Sequence, residues 1–441
     1  MSAVARESLP PGPCLPRVLQ TAGFMLAAPR FLEACRRRYG DTVTFSTLFD
    51  SPFVMLFDPT LVKELFQGSG EQLRAGEANA LLGPVLGERS VLLLDGPEHW
   101  RHRRLILPPF HGSRMQAYAE MIRRATDREV DSWPVGEPFE LLGSMQSLTL
   151  RVIVQAVFGY KPGAAEEELR RRLRAMVAPL ARSRGLLLML TLGRVGGRGR
   201  VARQFARRRR AVDEILYAEI SRRRRETELR PRDDVFSSLL LAQDEQGEGL
   251  TDHEVRDELV TLLLAGHETT ATGLAWTFDL LLHSPATLTR TLAGEDAYLD
   301  AVVKESLRIR PVIPAIGRVV RGEPFRLGAY EIPPGVEINP AIRVIHRRTD
   351  LYPDPDAFRP ERFLRRRVPR HLHLDPLRWG HAALHRGELR LDGDARGAIA
   401  CAAAHHAARR RSKARAGPVP RDHARPSQRR ARHAGPSGGV S

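Results

Sequence analysis

Apolar residues recur at spacings of three and four along most of this chain and alternate only in short stretches. "SLPPGPCLP" reads as an extended, proline-stiffened start. A short helix is predicted over Phe31–Tyr39, and "TVTFSTLF" with "SPFVMLFD" reads as a β-hairpin. Pro59–Phe66 suits a helix with proline in its first turn. Residues 98–133 and 139–160 read as helices, and 166–226 as an Arg-rich helical region that the connector "GRVGGRGR" interrupts. The clearest helix is "TDHEVRDELVTLLLAGHETTATGLAWTFDLLLHSP": Thr251 and Glu254 form a capping box and Pro285 closes it. At 1.5 Å per residue it spans roughly 50 Å, so it must cross the middle of a domain. A further helix over Tyr298–Arg308 stops before Pro311, and short strands follow in "GRVVRG", "FRLGAYEIPPG" and "VEINPAI". The pattern predicts a mainly α fold with a small β region and no internal repeat.

Composition changes this picture little. The 441 residues are 42% hydrophobic, as in a globular protein. The longest unbroken apolar candidate, "GLLLMLTLG", is too short to span a bilayer, and no secretion signal opens the chain. The three cysteines, Cys14, Cys35 and Cys401, make no disulfide framework and suit a reducing cytosol. Charge changes it more. Residues 366–441 hold sixteen Arg, one Lys and five acids, and so carry +12 of the net +17. Residues 1–364 therefore read as the globular domain and 365–441 as a basic, low-complexity tail. Nucleic-acid binding through that tail is an alternative, but no interleaved aromatic residues back it.

The candidate chemistry begins inside the long helix, at Ala265-Gly266-His267-Glu268-Thr269-Thr270. A buried acid and hydroxyls cost free energy unless they are paired or employed. The zinc-protease pattern needs a second His four residues after the first, and that position is Ala271. Gly266 costs about 1 kcal/mol in a helix interior and leaves room for something to approach the backbone. Glu268 and Thr269 beside it could relay protons to a bound small molecule; a kinked helix with solvated polar residues is the plainer reading. Glu305 and Arg308 share a helix face, but Glu33/Arg36, Glu120/Arg123 and Glu219/Arg222 have the same spacing and read as exposed pairs worth little. Arg362 in "DPDAFRPERF" could close a triad with Glu305 and Arg308. In "EHWRHRRLILPPF", both Trp100/Arg104 and His99/Arg103 present donors on one helix face, suited to carboxylates.

Order and separation make these motifs specific. An acid–Thr helix, a Glu-x-x-Arg about 37 residues on, a Pro-Glu-Arg-Phe about 55 further and a Trp-x-x-x-Arg helix upstream resemble the cytochrome P-450 family over residues 9–364. The resemblance implies a single, mainly helical domain with haem lying against the long helix at Ala265 and Gly266. Glu268 and Thr269 match the acid and alcohol that deliver protons during oxygen activation. Glu305, Arg308 and Arg362 match the triad bracing the proximal side. His99 with Arg103, or Trp100 with Arg104, match the pairs that hold haem propionates, and Arg318 matches a further partner. It also implies a haem-dependent monooxygenase acting on an apolar small molecule. As a soluble, bacterial-type, cytoplasmic member it would take electrons from ferredoxin and ferredoxin reductase. Residues 180–210 would lie over the access channel.

The chain departs from the family in one respect. The Cys thiolate that ligates iron belongs in a Phe-Gly-x-Gly-x-Arg-x-Cys-x-Gly loop some twenty to thirty residues after Pro-Glu-Arg-Phe, and no such loop occurs. Cys401, in "AIACAAAHH", stands in the wrong context, so no metal ligand is assigned. After Phe363 the chain has no Phe or Tyr, and eight of its fifteen His follow residue 370. With 65 Arg against 4 Lys, the coding is GC-rich, which out of frame yields Arg, Ala, Gly, Pro and His. A permitted back-translation of "HLHLDPLRWGHAALHRGELRLDGDAR", moved one base on, reads Thr-Tyr-Thr-Trp-Thr-Pro-Phe-Gly-Gly-Gly-Thr-Arg-Arg-Cys-Ile-Gly-Ala. That is the absent loop, and it points to a frameshift between about Leu364 and His371. The chain as written would then be an incomplete, inactive form, or a haem-free relic.

Overall fold

Pro29 decides the shape of the first helix. The computed structural model, which describes residues 9–49, 52–110, 114–160, 163–177, 200–226 and 234–364, extends α1 over Arg17–Tyr39, well beyond the expected Phe31 start. The backbone breaks at Ala27 (φ −148°, ψ 36°), two residues before the proline whose ring cannot pack into a regular turn. The strands are β1 (Thr42–Phe45), β2 (Phe53–Leu56), β3 (Leu73–Arg74), β4 (Arg318–Val320), β5 (Phe325–Leu327), β6 (Tyr330–Ile332) and β7 (Glu337–Pro340). β1 and β2 form the expected hairpin and belong to a five-stranded sheet of order β1-β2-β7-β4-β3, in which β2 and β7 are parallel; β5 and β6 pair apart from it.

Helices supply the rest: α2 (Pro59–Gln67), α3 (Gly96–Ile106), α4 (Arg114–Asp131), α5 (Leu141–Phe158), α6 (Ala164–Val177), α7 (Arg200–Arg224), α8 (Val235–Leu241), α9 (Asp252–Leu282), α10 (Pro285–Leu292) and α11 (Asp296–Ile309). Asp58 caps α2 by accepting from Thr60 N–H, with Pro59 in the first turn. The single helix expected over 98–133 is two, because Pro108 and Pro109 turn the chain after Ile106 into a short 3₁₀ segment. The Thr251/Glu254 capping box is formed, and α9 runs about 46 Å at 1.5 Å per residue.

α9 is the axis of the core. Val255, Leu259, Val260 and Leu263 pack with α5, α7 and α8, while Ala271, Leu274, Phe278 and Leu281 pack with α5 and α11. α5 is long and apolar enough to cross a membrane by length and composition, a span that a search for unbroken apolar runs passes over because Ser, Gln, Thr and Arg punctuate it. It lies against α9, as a core helix does. One reading from spacing is corrected. Glu219/Arg222 is no isolated surface pair: Glu219 is buried and also accepts from Arg223, a fully buried guanidinium that donates to Asp234 Oδ1 and Ser237 Oγ. Residues 180–199, most of "GRVGGRGR", Cys401 and the whole of 365–441 lie outside the described residues.

Candidate functional site

The middle of α9 is where a core helix opens. Leu263 and His267 are buried, yet Ala265 between them is exposed, and Glu268, Thr269 and Thr272 are half-buried. Ala265 lies seven residues after Glu258, two turns on and on the same face. Glu258 faces α3: its Oε1 lies 2.8 Å from His102 Nδ1 and accepts from Val91 N–H at 2.8 Å. The open stretch thus continues the face that packs on α3. Thr269 donates its hydroxyl to Ala265 C=O at 2.6 Å, one turn back. Glu268 turns toward α5, where the Gln146 amide donates to both carboxylate oxygens at 3.2 and 3.1 Å. Gly266 also faces α5, for a Cβ there would stand 2.9 Å from Ile153 Cδ1. What approaches the backbone at that glycine's missing side chain is Ile153.

Two registers overlap in α3 at the level of sequence, and they differ in burial. Trp100 and Arg104 are exposed, and Arg104 pairs with Glu245. His99 is half-buried and Arg103 buried, and burial pushes the Arg103 guanidinium below its usual pKa. Arg318 at the start of β4 is buried over the Phe66 ring, 5.0 Å from its centroid, and donates to Gly317 C=O at 2.8 Å. Burial pushes its pKa down to about 10, with Asp95 at the head of α3 opposing. Asp95 itself accepts from the N–H groups of Gly76 and Glu77. One buried cation, Arg318, therefore stands near Asp95 at the head of α3 and another, Arg103, in its last turn, and a buried cation gains most from an anion.

On α11, Glu305 is fully buried. It accepts from Arg308 Nε and Nη2 at 2.7 and 2.9 Å, from Arg362 Nε at 3.0 Å and from Arg359 N–H at 3.0 Å. Arg308 also donates to His346 C=O at 2.7 Å. Carboxylate, two guanidiniums and backbone close into one network, so Glu305/Arg308 differs from an ordinary surface pair by its burial.

The Cytochrome P450 family profile matches residues 8–293 and 294–376. This chain belongs to the cytochrome P450 family. It is 38% identical to cytochrome P450 135B1 of Mycobacterium tuberculosis over 375 residues, 82% of this chain and 78% of that one. It is also 38% identical to cytochrome P450 137 of the same species, over 80% of this chain and 76% of that protein. The retinoic acid-bound cyanobacterial CYP120A1 superposes with TM-score 0.73 at 20% identity, over 89% of this chain and 92% of that one, and shows the same fold. The chain is thus a bacterial-type P450 whose family cofactor is haem and whose family chemistry is monooxygenation.

The distal half of the site suits that cofactor. Ala265 is exposed and carries only a methyl group, and the buried Arg103 and Arg318 suit the cofactor's carboxylates. The segment after Leu364, where the resemblance places the iron-ligating loop, lies outside the described residues. Among the described residues the free cysteines are Cys14, exposed, and Cys35, which packs with Leu32, Phe45 and Phe53 between α1 and the sheet rather than against α9. No group of three or more metal-ligating side chains occurs among the described residues.

Reading motifs along the sequence missed Gln146, Thr149, His102 and Glu258. Each acts through a contact more than one hundred residues away along the chain, which no local spacing encodes.

Proposed function

We propose that residues 1–364 are the body of a cytoplasmic P450 monooxygenase. It would insert one oxygen atom of O2 into an apolar organic substrate, with electrons from a ferredoxin and its reductase. The observation that carries this reading is the half-buried Glu268–Thr269 pair beside the exposed Ala265 in the middle of the core helix. Haem bound there would supply the redox-active iron at which dioxygen is activated. His99, Arg103 and Arg318 would hold its propionates; Trp100 and Arg104, which face solvent, would not. Thr269 keeps its hydroxyl proton on Ala265 C=O at 2.6 Å until a better acceptor on the open face draws it away. Glu268, half-buried, can exchange protons with solvent while Gln146 fixes its carboxylate. Glu305, Arg308 and Arg362 brace the segment that leads into the iron-ligating loop.

We also propose that residues 365–441 are read out of frame, so that this polypeptide lacks the thiolate ligand and is inactive as written. The one-base-shifted reading Phe-Gly-Gly-Gly-Thr-Arg-Arg-Cys-Ile-Gly supports this. The family profile ends at residue 376 and leaves most of this segment unmatched. The test is to sequence the gene around codon 365 and to express both reading frames. The chain as written should retain little haem and give no reduced-CO thiolate band, whereas the restored frame should give both. A thiolate spectrum from the chain as written would overturn the proposal. Bases at Leu384 and His385 that cannot read TGC one position on would overturn it equally.

A further inference from the structure

His267 sits beside the working acid with no role yet assigned to it. It is buried within α9, between Glu268 of its own helix and Thr149 of α5. Its Nδ1 lies 3.0 Å from Thr149 Oγ1, and its Nε2 lies 3.5 Å from Glu268 Oε1, near enough to tighten into a hydrogen bond. Thr149 Oγ1 is also 2.9 Å from Met145 C=O, one turn back, to which its hydroxyl donates. The ring therefore bridges a carboxyl that can gain a proton and a hydroxyl that can turn.

Both nitrogens find a partner in either state of Glu268. When Glu268 is ionised, Nε2–H donates to Oε1, and Nδ1 accepts from the Thr149 hydroxyl swung away from Met145 C=O. When Glu268 is protonated, its O–H donates to Nε2, Nδ1–H donates to Thr149 Oγ1, and the hydroxyl returns to Met145 C=O. The ring carries one proton throughout, and the added proton resides on Glu268. A cationic ring is opposed by burial and by two guanidiniums, against the ionised Glu268 carboxylate 3.5 Å from Nε2. Burial comes first, with Arg174 and Arg170 of α6 next, and together they push the imidazole down to about 4. From α5 come the neutral Gln146 on Glu268 and Ser147, which accepts from Arg170 and Arg174 at 3.3 and 3.2 Å, while Arg151 of the same helix adds a further cation that acts on Arg170.

We propose that His267 is a positioning residue that holds the Glu268 carboxyl in both of its protonation states by exchanging tautomers against Thr149, remaining neutral itself. The inference rests on Glu268 being the acid that moves protons, but its test needs no turnover and no haem spectrum.

The experiment is nitrogen-15 NMR of the full chain labelled at histidine ring nitrogens, with carbon-13 at glutamate carboxyls, titrated from about pH 4.5 to 8. His267→Gln and Glu268→Gln variants assign the signals. Nε2 should pass from bare-type to protonated-type as pH rises and Nδ1 should do the reverse, with a midpoint matching that of the Glu268 carboxyl. In Glu268→Gln the tautomer should be independent of pH. The Glu268 midpoint should rise by about one unit in His267→Phe, where an apolar ring replaces a polar one. It should return to within about half a unit in His267→Gln, whose amide can rotate to donate or accept. A tautomer that stays fixed while Glu268 titrates would overturn the inference, as would both nitrogens protonating together above about pH 6. Either result leaves the monooxygenase reading to stand or fall on the restored-frame spectrum.

Discussion

His102 Nδ1 on α3 lies 2.8 Å from Glu258 Oε1 on α9, and both side chains are buried. His102 Nε2 reaches Glu254 Oε1 at 3.2 Å, one turn earlier on α9, so a single imidazole fastens α3 to the central helix. Burial pushes Glu258 up to about 7 against the hydrogen bond from His102, and its Oε2 is buried with no hydrogen-bond partner among the described residues. Burial also works against charge on His102, but its bonds to Glu258 and Glu254 prevail and raise its pKa above 6.5.

The consequence for stability has a definite sign. A carboxyl whose folded pKa is raised binds its proton more tightly in the native state. Stability therefore falls as pH rises from the ordinary value near 4.5 to about 7. The raised His102 acts in the same direction: its contribution is complete below 6.5 and is lost as pH climbs through the folded value. Glu258→Gln, which keeps an acceptor for Val91 N–H, should flatten this dependence. Melting temperatures at about pH 5 and 8 should differ less in the variant than in the parent chain. An equal fall in both would place the pH sensitivity elsewhere.

Glu305 should be the costliest single carboxylate to remove. It accepts from two guanidiniums and from Arg359 N–H at zero exposure, so Glu305→Ala strands the buried Arg308. Breaking a buried pair in this way costs about 3–5 kcal/mol. Denaturant unfolding should show that loss, whereas Glu120→Ala, which breaks exposed pairs with Arg123 and Arg124, should change stability by less than about 1 kcal/mol.

The two glutamates show how much a sequence can disclose. Both stand three residues before an Arg on a helix, and spacing alone cannot rank them. Burial ranks them, and burial depends on which surfaces meet. α9 was legible because its apolar stripe, capping box and closing proline agree over thirty residues. The β1–β2 hairpin was legible from alternation in one stretch and an apolar run in the other, while the break at Ala27 and the turn at Pro108 followed from prolines that the periodicity outweighed. The Glu268 surroundings were half legible: the acid and alcohol lie in one motif, but Gln146 and Thr149 reach them across the α5–α9 contact.

The α3 register yields a comparison between neighbouring arginines. In the restored-frame protein, Arg103→Ala should weaken haem retention at least tenfold, because it removes a buried cation. Arg104→Ala should leave retention unchanged and alter stability by less than about 1 kcal/mol, since its pair with Glu245 is exposed. Haem titration followed by absorbance distinguishes them. Equal losses at both positions, or a greater loss at Arg104, would favour the Trp100/Arg104 register instead.

Gly266 tests whether the opening in α9 is set by packing or by ligand approach. Ala is the better helix former by about 1 kcal/mol, so on helix propensity alone Gly266→Ala should stabilise. A methyl placed there stands 2.9 Å from Ile153 Cδ1, closer than carbon atoms tolerate, and such overpacking costs about 1–3 kcal/mol. Cδ1 is the free end of the Ile153 side chain, so the clash offsets the helix gain and the net change should stay within about 1 kcal/mol of zero. Ile153→Val removes the offending Cδ1, so the double variant should be more stable than the two single changes predict by addition, with a coupling of about 0.5–2 kcal/mol. Denaturant melts of the four proteins in the cycle measure it. Additivity within error would mean that Ile153 yields without strain, and that helix α5 leaves Gly266 free to be read by what lies on the other side.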